Sequence, residues 1–281
     1  MESYLRKCCV VFVLLSFGFS VVKAQAQAQV PCFFVFGDSL VDNGNNNGLV
    51  SFARANYFPY GIDFGGPTGR FSNGKTTVDE IAELLGFNGY IPAYNSVSGR
   101  QILSGVNYAS AAAGIREETG RQLALYNYGA RKFALSGVGA VGCSPNALAG
   151  SRDGRTCVER INSANQIFNN KLKSLVDQLN NNHPDAKFIY INAYGIFQDM
   201  ITNPARFGFR VTNAGCCGIG RNAGQITCLP GQRPCNNRNA YVFWDSFHPT
   251  EAANVIIARR SYNAQSPSDA YPMDISRLAQ L

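Results

Sequence analysis

Histidine is scarce in this chain, with two among 281 residues, alongside one Trp and three Met. Charge is thin at 15% of residues, and the formal net charge of +7 comes from Lys and Arg scattered without a dense basic run. A nucleic-acid-binding surface needs a basic stripe, so that class is set aside, and acidic polymers or anionic lipid surfaces are attracted only loosely. No apolar run in the body of the chain approaches the roughly 20 residues of a spanning helix, so no transmembrane segment is expected. There is no Asn-x-Ser/Thr acceptor, so N-glycosylation is not expected.

What is present reads as one globular domain behind a leader. Arg6 and Lys7 precede an apolar run from Cys8 to Val22, and small residues follow at Ala24, Ala26 and Ala28. That order predicts a secretory signal peptide over 1–26, a mature chain from about Gln27 and a secreted, extracellular product. Removing the leader lowers the formal charge to +5, with 22 basic and 17 acidic residues. A hydrophobic fraction of 46% then suffices to fill a core within 27–281.

Seven cysteines remain: Cys32, Cys143, Cys157, Cys216, Cys217, Cys228 and Cys235. An oxidising compartment makes disulfides the default, and an odd count leaves one thiol without a partner. Cys216 to Cys235 lie in a Gly-rich loop with no His, and adjacent cysteines chelate one zinc poorly, so disulfides are favoured over a metal.

Hydrophobic patterning predicts four strands. Cys32 to Phe36 is an unbroken apolar run ended by Gly37, which suits a strand buried on both faces. Val106 to Ser110, Lys132 to Ser136 and Lys187 to Ala193 are the others. Helices are expected at Thr77 to Leu85, at about Val158 to Asn180 and at Thr250 to Tyr262. The middle one carries Val158, Ile161, Ala164, Phe168, Leu172, Leu175, Val176 and Leu179 at the three-four spacing of a buried stripe. Asn213 to Asn239 reads as a cysteine-bearing loop, and Gln265 to Leu281 as a polar, uninformative tail. Strand, helix, strand in repetition predicts an α/β fold with a mainly parallel sheet, whose active site gathers at the carboxyl ends of its strands.

Two segments could carry chemistry. Ser39 follows the first strand in Gly37-Asp38-Ser39-Leu40, where the glycine permits a sharp turn that exposes a hydroxyl. Taken alone, such a tripeptide is more often only a turn. His183 follows three asparagines and reads as a solvated loop residue. His248 lies in Trp244-Asp245-Ser246-Phe247-His248-Pro249-Thr250, with a carboxylate three residues ahead. One local turn can aim Asp245 at one ring nitrogen and leave the other to take the Ser39 proton, the division of labour of a Ser-His-Asp triad. Asp245 could equally serve only to start the helix. Phe58, Tyr60, Phe64 and Phe71 could line an apolar cleft or be ordinary packing.

Together these segments resemble the plant-type extracellular branch of the GDSL lipase family, within the SGNH hydrolases. The resemblance rests on PCFFVFGDSLVDNGNNN from Pro31 and on FWDSFHPTEAAN from Phe243 to Asn254. It is reinforced by GVNYASAAAGI (Gly105 to Ile115), ARKFALSGVGAVGCSP (Ala130 to Pro145) and GCCG (Gly215 to Gly218). It implies a three-layer α/β/α SGNH-hydrolase fold and hydrolysis of carboxylic esters, from acyl lipids to small acetyl or aryl esters. The implied roles are nucleophile Ser39, acid Asp245 and base His248, with no cofactor. The implied oxyanion hole combines the backbone N–H groups of Ser39 and Gly114 with an asparagine from a third block.

That third block is missing. Gly120-Arg121-Gln122-Leu123 runs directly into Ala124-Leu125-Tyr126-Asn127, where the family carries several dozen residues including a central strand. The resemblance therefore implies a single domain with an internal deletion near 123–124 and a sheet one strand short. It also implies that Cys32 lacks a partner that the absent segment would supply. Weak activity, or none, is expected unless the sheet closes over the gap; the alternative is a non-catalytic secreted form that binds acyl or cell-wall ligands or interferes with a full-length sibling.

Overall fold

The computed structural model describes residues 27–114 and 124–281; the expected signal peptide and the Leu123 side of the join lie outside the described residues. Its elements in chain order are α1 (Thr77–Leu84), α2 (Ala124–Asn127), β1 (Lys132–Ser136), α3 (Pro145–Ala149), α4 (Glu159–Asn182) and β2 (Lys187–Ile191). They continue with α5 (Ala193–Thr202), β3 (Val211–Gly215), β4 (Tyr241–Phe243), α6 (Glu251–Tyr262), β5 (Ala270–Tyr271) and α7 (Ile275–Gln280).

Strand β2 is the middle of the fold. It pairs in parallel with β1, Lys132 opposite Lys187 through Ser136 opposite Ile191, and antiparallel with β5. Side chains alternate across a strand, so β2 packs two different layers. Ile189 and Ile191 meet Ile81 and Leu85, Ala258 of α6, and Ile275 and Leu278 of α7. Phe188 and Tyr190 meet Val176 of α4, with Leu172, Leu179, Phe133 and Leu135 against them. This is the α/β/α sandwich expected, with helices on both faces of a mainly parallel sheet. A parallel β3–β4 pair forms a second piece, packed through Val242 and Phe243 on Ile196, Met200 and Ile257.

Two expected strands are reduced to single bridges. Val35 pairs in parallel with Asn107, which also bridges Ala93, through Val35 N–H to Val106 C=O at 3.0 Å and Tyr108 N–H to Val35 C=O at 2.8 Å. The run expected to be buried on both faces leaves Phe34 40% and Phe36 38% exposed, their rings lying against Tyr108. Among the described residues the Phe34 and Phe36 backbones make no hydrogen bond, so this edge lacks a neighbour to extend it into a strand. β1 has an open edge too. Arg131 C=O and Gly137 N–H both bond to β2, and by parity Lys132, Ala134 and Ser136 turn their backbone groups the other way.

The tail needs a larger correction. Residues 265–281 read as polar, yet they supply β5 and α7 and bury Ile275, Leu278 and Ala279. Ile275, Leu278 and Ala279 keep the three-four helical spacing, but three positions over six residues are too few to stand out. The 213–239 loop includes the end of β3, and α3 and α5 form where no helix was expected. The cysteines pair as Cys143–Cys157, Cys216–Cys235 and Cys217–Cys228, with Cys32 the odd thiol.

If the tail is core, Leu278→Ala lowers unfolding free energy by about 2–5 kcal/mol, whereas Leu175→Ala, at a half-exposed position, costs under about 1 kcal/mol. Urea melts of both variants check this, and equal small losses would return the tail to the surface.

Candidate active site

The Ser39 turn is built by its neighbours. Ser110 N–H bonds Gly37 C=O at 3.0 Å, and a side chain at Gly37 would stand 2.6 Å from the Val41 Cγ2 and displace it, so the turn packs closely around the glycine. Asp38 C=O then accepts from Val41 and Asp42 N–H, and its Oδ1 accepts from Leu40 N–H, closing a tight turn around Ser39. The Ser39 N–H makes no hydrogen bond among the described residues, which leaves it able to donate to a ligand oxygen.

The polar run after Ser39 is a set of clamps. Asp42 has no exposed surface and accepts from Gly44 and Asn45 N–H at 2.8 Å and from Ala111 N–H at 2.9 Å. Burial raises its carboxyl above the usual range despite these donors. Asn45 donates to Asn107 and Ala109 C=O, and Asn46 to Ala53 and Ala111 C=O while accepting from Ser110 Oγ. These bonds hold the Ser39 loop against residues 107–111. Sequence reasoning assigned no role to Asp42 or the asparagines, since their partners lie about 65 residues away.

The other half of the site is a hairpin. Trp244 N–H donates to His248 C=O at 2.8 Å, Phe243 bridges Pro249, and Thr250 N–H returns to Val242 C=O. Thr250 also caps α6 by accepting from Ala253 N–H. Inside the turn, Asp245 Oδ1 accepts from Phe247 N–H and His248 N–H, both at 2.8 Å. His248 Nδ1 lies 2.8 Å from Asp245 Oδ1 and 2.9 Å from Oδ2. His248 Nε2 lies 2.8 Å from Ser39 Oγ, across 209 residues of chain. With Nδ1–H donated to the carboxylate, Nε2 is left as acceptor for the serine proton.

Asp245 is fully buried. Burial works to raise its carboxyl, but the facing His248, its hydrogen bond, the Tyr60 phenol and the Phe247 N–H outweigh that and hold it below the usual range. Tyr60 OH donates to Asp245 Oδ2 at 2.5 Å. Tyr60 and Phe71, expected as cleft lining or packing, stand behind the triad, with Phe71 4.9 Å from the His248 ring. Phe58 is half-exposed, and Phe64 is taken up against Arg70. His183 ends α4 half-buried on Tyr126, with no contact to the triad. Gly114 lies exposed at the end of its described segment, and Asn127 is exposed in α2.

The Asp245 carboxyl sits lower folded than unfolded, so the unfolded chain binds the extra proton first as pH falls. Its stabilising contribution is complete above the ordinary Asp value of about 3.9 and is lost as pH drops through the lower folded value. Asp245→Asn should therefore flatten the stability curve below about pH 4. Acid titrations of unfolding for both proteins check this; parallel curves would contradict it.

The family profile described as GDSL-like Lipase/Acylhydrolase matches residues 33–126 and 117–261. The chain is 73% identical over 363 aligned positions to GDSL esterase/lipase At1g29670 of Arabidopsis thaliana, covering 100% of both. It is 57% identical over 367 positions to GDSL esterase/lipase At1g29660 of the same plant, again covering 100% of both. A chain of 281 residues can fill at most 281 of the 363 positions, so at least 82 have no counterpart here. The matched motifs, at this identity and along the whole chain, make it a member of the GDSL-like lipase/acylhydrolase family.

Proposed function

We propose that this chain is an exported carboxylic ester hydrolase that works through an acyl-Ser39 intermediate. The observation that carries the reading is the unbroken relay from Asp245 to His248 Nδ1 and from Nε2 to Ser39 Oγ, each step at 2.8 Å. Ser39 Oγ attacks the ester carbonyl carbon as its proton passes to His248 Nε2, and Asp245 steadies the imidazolium that forms. The carbonyl oxygen, now negative, takes the N–H of Ser39 and that of Gly114. His248 then returns the proton to the departing alcohol, leaving Ser39 acylated. Water, deprotonated by His248, attacks the acyl carbon, and the serine leaves with the proton as the acid is released.

The rate should be low for this family. The segment missing between 123 and 124 includes the block expected to supply an asparagine donor, a reading supported by the two profile matches meeting over 117–126. One oxyanion donor fewer costs about 10²–10³ in rate, or ~2.7–4 kcal/mol, in an otherwise intact site. Export is supported by three disulfides, which persist in oxidising compartments. The substrate class is an acyl ester or lipid.

A fluorophosphonate probe should label the purified chain at Ser39, and hydrolysis of a short p-nitrophenyl ester should vanish in Ser39→Ala. Supplying the absent segment should raise kcat by at least about 10². A folded protein that never takes the probe, and whose residual rate is the same in Ser39→Ala, would sink the assignment in favour of a ligand-binding role.

A further inference from the structure

We propose that Tyr60 is a positioning residue of this site, its phenol setting both the orientation and the effective charge of the Asp245 carboxylate that faces His248. The inference rests on the hydrolase reading above and deepens it. Asp245 divides its lone pairs unequally. Oδ1 takes two backbone N–H groups of its own turn, whereas among the described residues Oδ2 has, besides the shared His248 Nδ1–H, only the Tyr60 hydroxyl. In a site with no exposed carboxylate surface, water cannot replace that donor.

The direction of each proton follows from chemistry. An ionised carboxylate only accepts, so Tyr60 must donate to Asp245, and its one proton is thereby used. Thr227 Oγ1, 3.2 Å from the phenol oxygen, must then donate to it. The resulting chain runs Thr227 to Tyr60 to Asp245, meeting His248 from the opposite side. Burial first, and then the Asp245 charge, push the Tyr60 phenol far above its usual range, so it remains a donor at every working pH.

Tyr60 is also mechanically fixed. It is 1% exposed, with Tyr57 at 5.3 Å, Phe71 at 6.0 Å and Trp244 at 6.2 Å arranged edge-on to its ring. Thr227 adjoins Cys228, whose disulfide partner Cys217 donates its N–H to Trp244 C=O at 2.7 Å. Tyr57 OH donates to Cys228 C=O at 2.8 Å. The cysteine loop thus braces both the phenol and the strand that delivers Asp245. The ionisable groups facing the Asp245–His248 pair are Tyr60 and, farther out, Tyr57; Ser39, Phe71, Phe247 and Trp244 complete the surroundings.

The hydroxyl turns the positive end of its dipole toward the carboxylate and tempers the negative potential at the imidazole. Tyr60→Phe keeps the ring and removes that dipole, which favours the protonated ring. With only two histidines, ring NMR resolves both, and half-buried His183 serves as internal reference. The expected result is a His248 titration midpoint higher by about 0.5–1 pH, with His183 unmoved. In activity, kcat should fall about 10-fold, the worth of one hydrogen bond to a charged group, with KM unchanged and the acid limb displaced upward.

A ring-fluorinated tyrosine at position 60, a stronger donor of nearly the same shape, should move the midpoint down, and it decides the matter should the Phe variant fold poorly. A His248 midpoint that stays in place, or moves the same way in both variants, overturns the proposal. The titration needs no turnover: a parent chain inert to fluorophosphonate would sink the hydrolase reading, while the NMR midpoints still decide whether Tyr60 controls the pair.

Discussion

A carboxylate without exposed surface has to be compensated from inside the protein, and Asp245 imposes that demand on everything around it. Two backbone N–H groups come from its own turn, a third donor is the His248 ring, and a fourth is a phenol from 185 residues away. Satisfying the acid fixes the imidazole, and fixing the imidazole sets where a serine must stand to be activated. The Ser39 loop is held at that place by a second buried acid, Asp42, and by asparagines that bond across to the Ala109–Ala111 backbone. Two acids thus organise the two halves of the site, one from each end of the chain.

The site survives although the sheet beneath it is in pieces. β2 carries two layers of core, but the Val35 segment and β1 each present an unpaired parallel edge among the described residues. The triad is not built from these edges. His248 and Asp245 come from the β4–α6 hairpin, and Ser39 from a turn closed by local hydrogen bonds. Unpaired sheet edges therefore weigh on stability more than on the contacts that join Ser39, His248 and Asp245.

The Ser39, Asp245 and His248 constellation was legible because each member sits in a short-range signature. Asp245 and His248 are three residues apart in one turn, and Gly37 marks the bend before Ser39. Helices α1, α4 and α6 form where expected, with ends shifted by one or two residues as helix ends do, although α4 buries Asn162 and Asn169 beside Val176 and leaves Ala164 and Leu175 of the expected stripe exposed. α7 was not legible: six residues with three buried side chains carry too little period to stand out from a polar tail. The two reduced strands were misread for a different reason. CFFVF states a preference for extension and burial, but a strand also needs a neighbour, and that is not a property of the segment itself.

The sequence by itself determined the chemistry available: one serine in a glycine turn, one histidine beside a carboxylate, and an odd count of cysteines behind the Cys8 to Val22 apolar run. It determined helices α1, α4 and α6 too, since helix hydrogen bonds close within four residues. Tertiary structure alone decided that Tyr60 donates to Asp245, that Asp42 and the asparagines bind the Ser39 loop to residues 107–111, and which cysteines pair. These contacts link groups far apart in the chain, and only the folded path brings them within hydrogen-bonding or bonding distance.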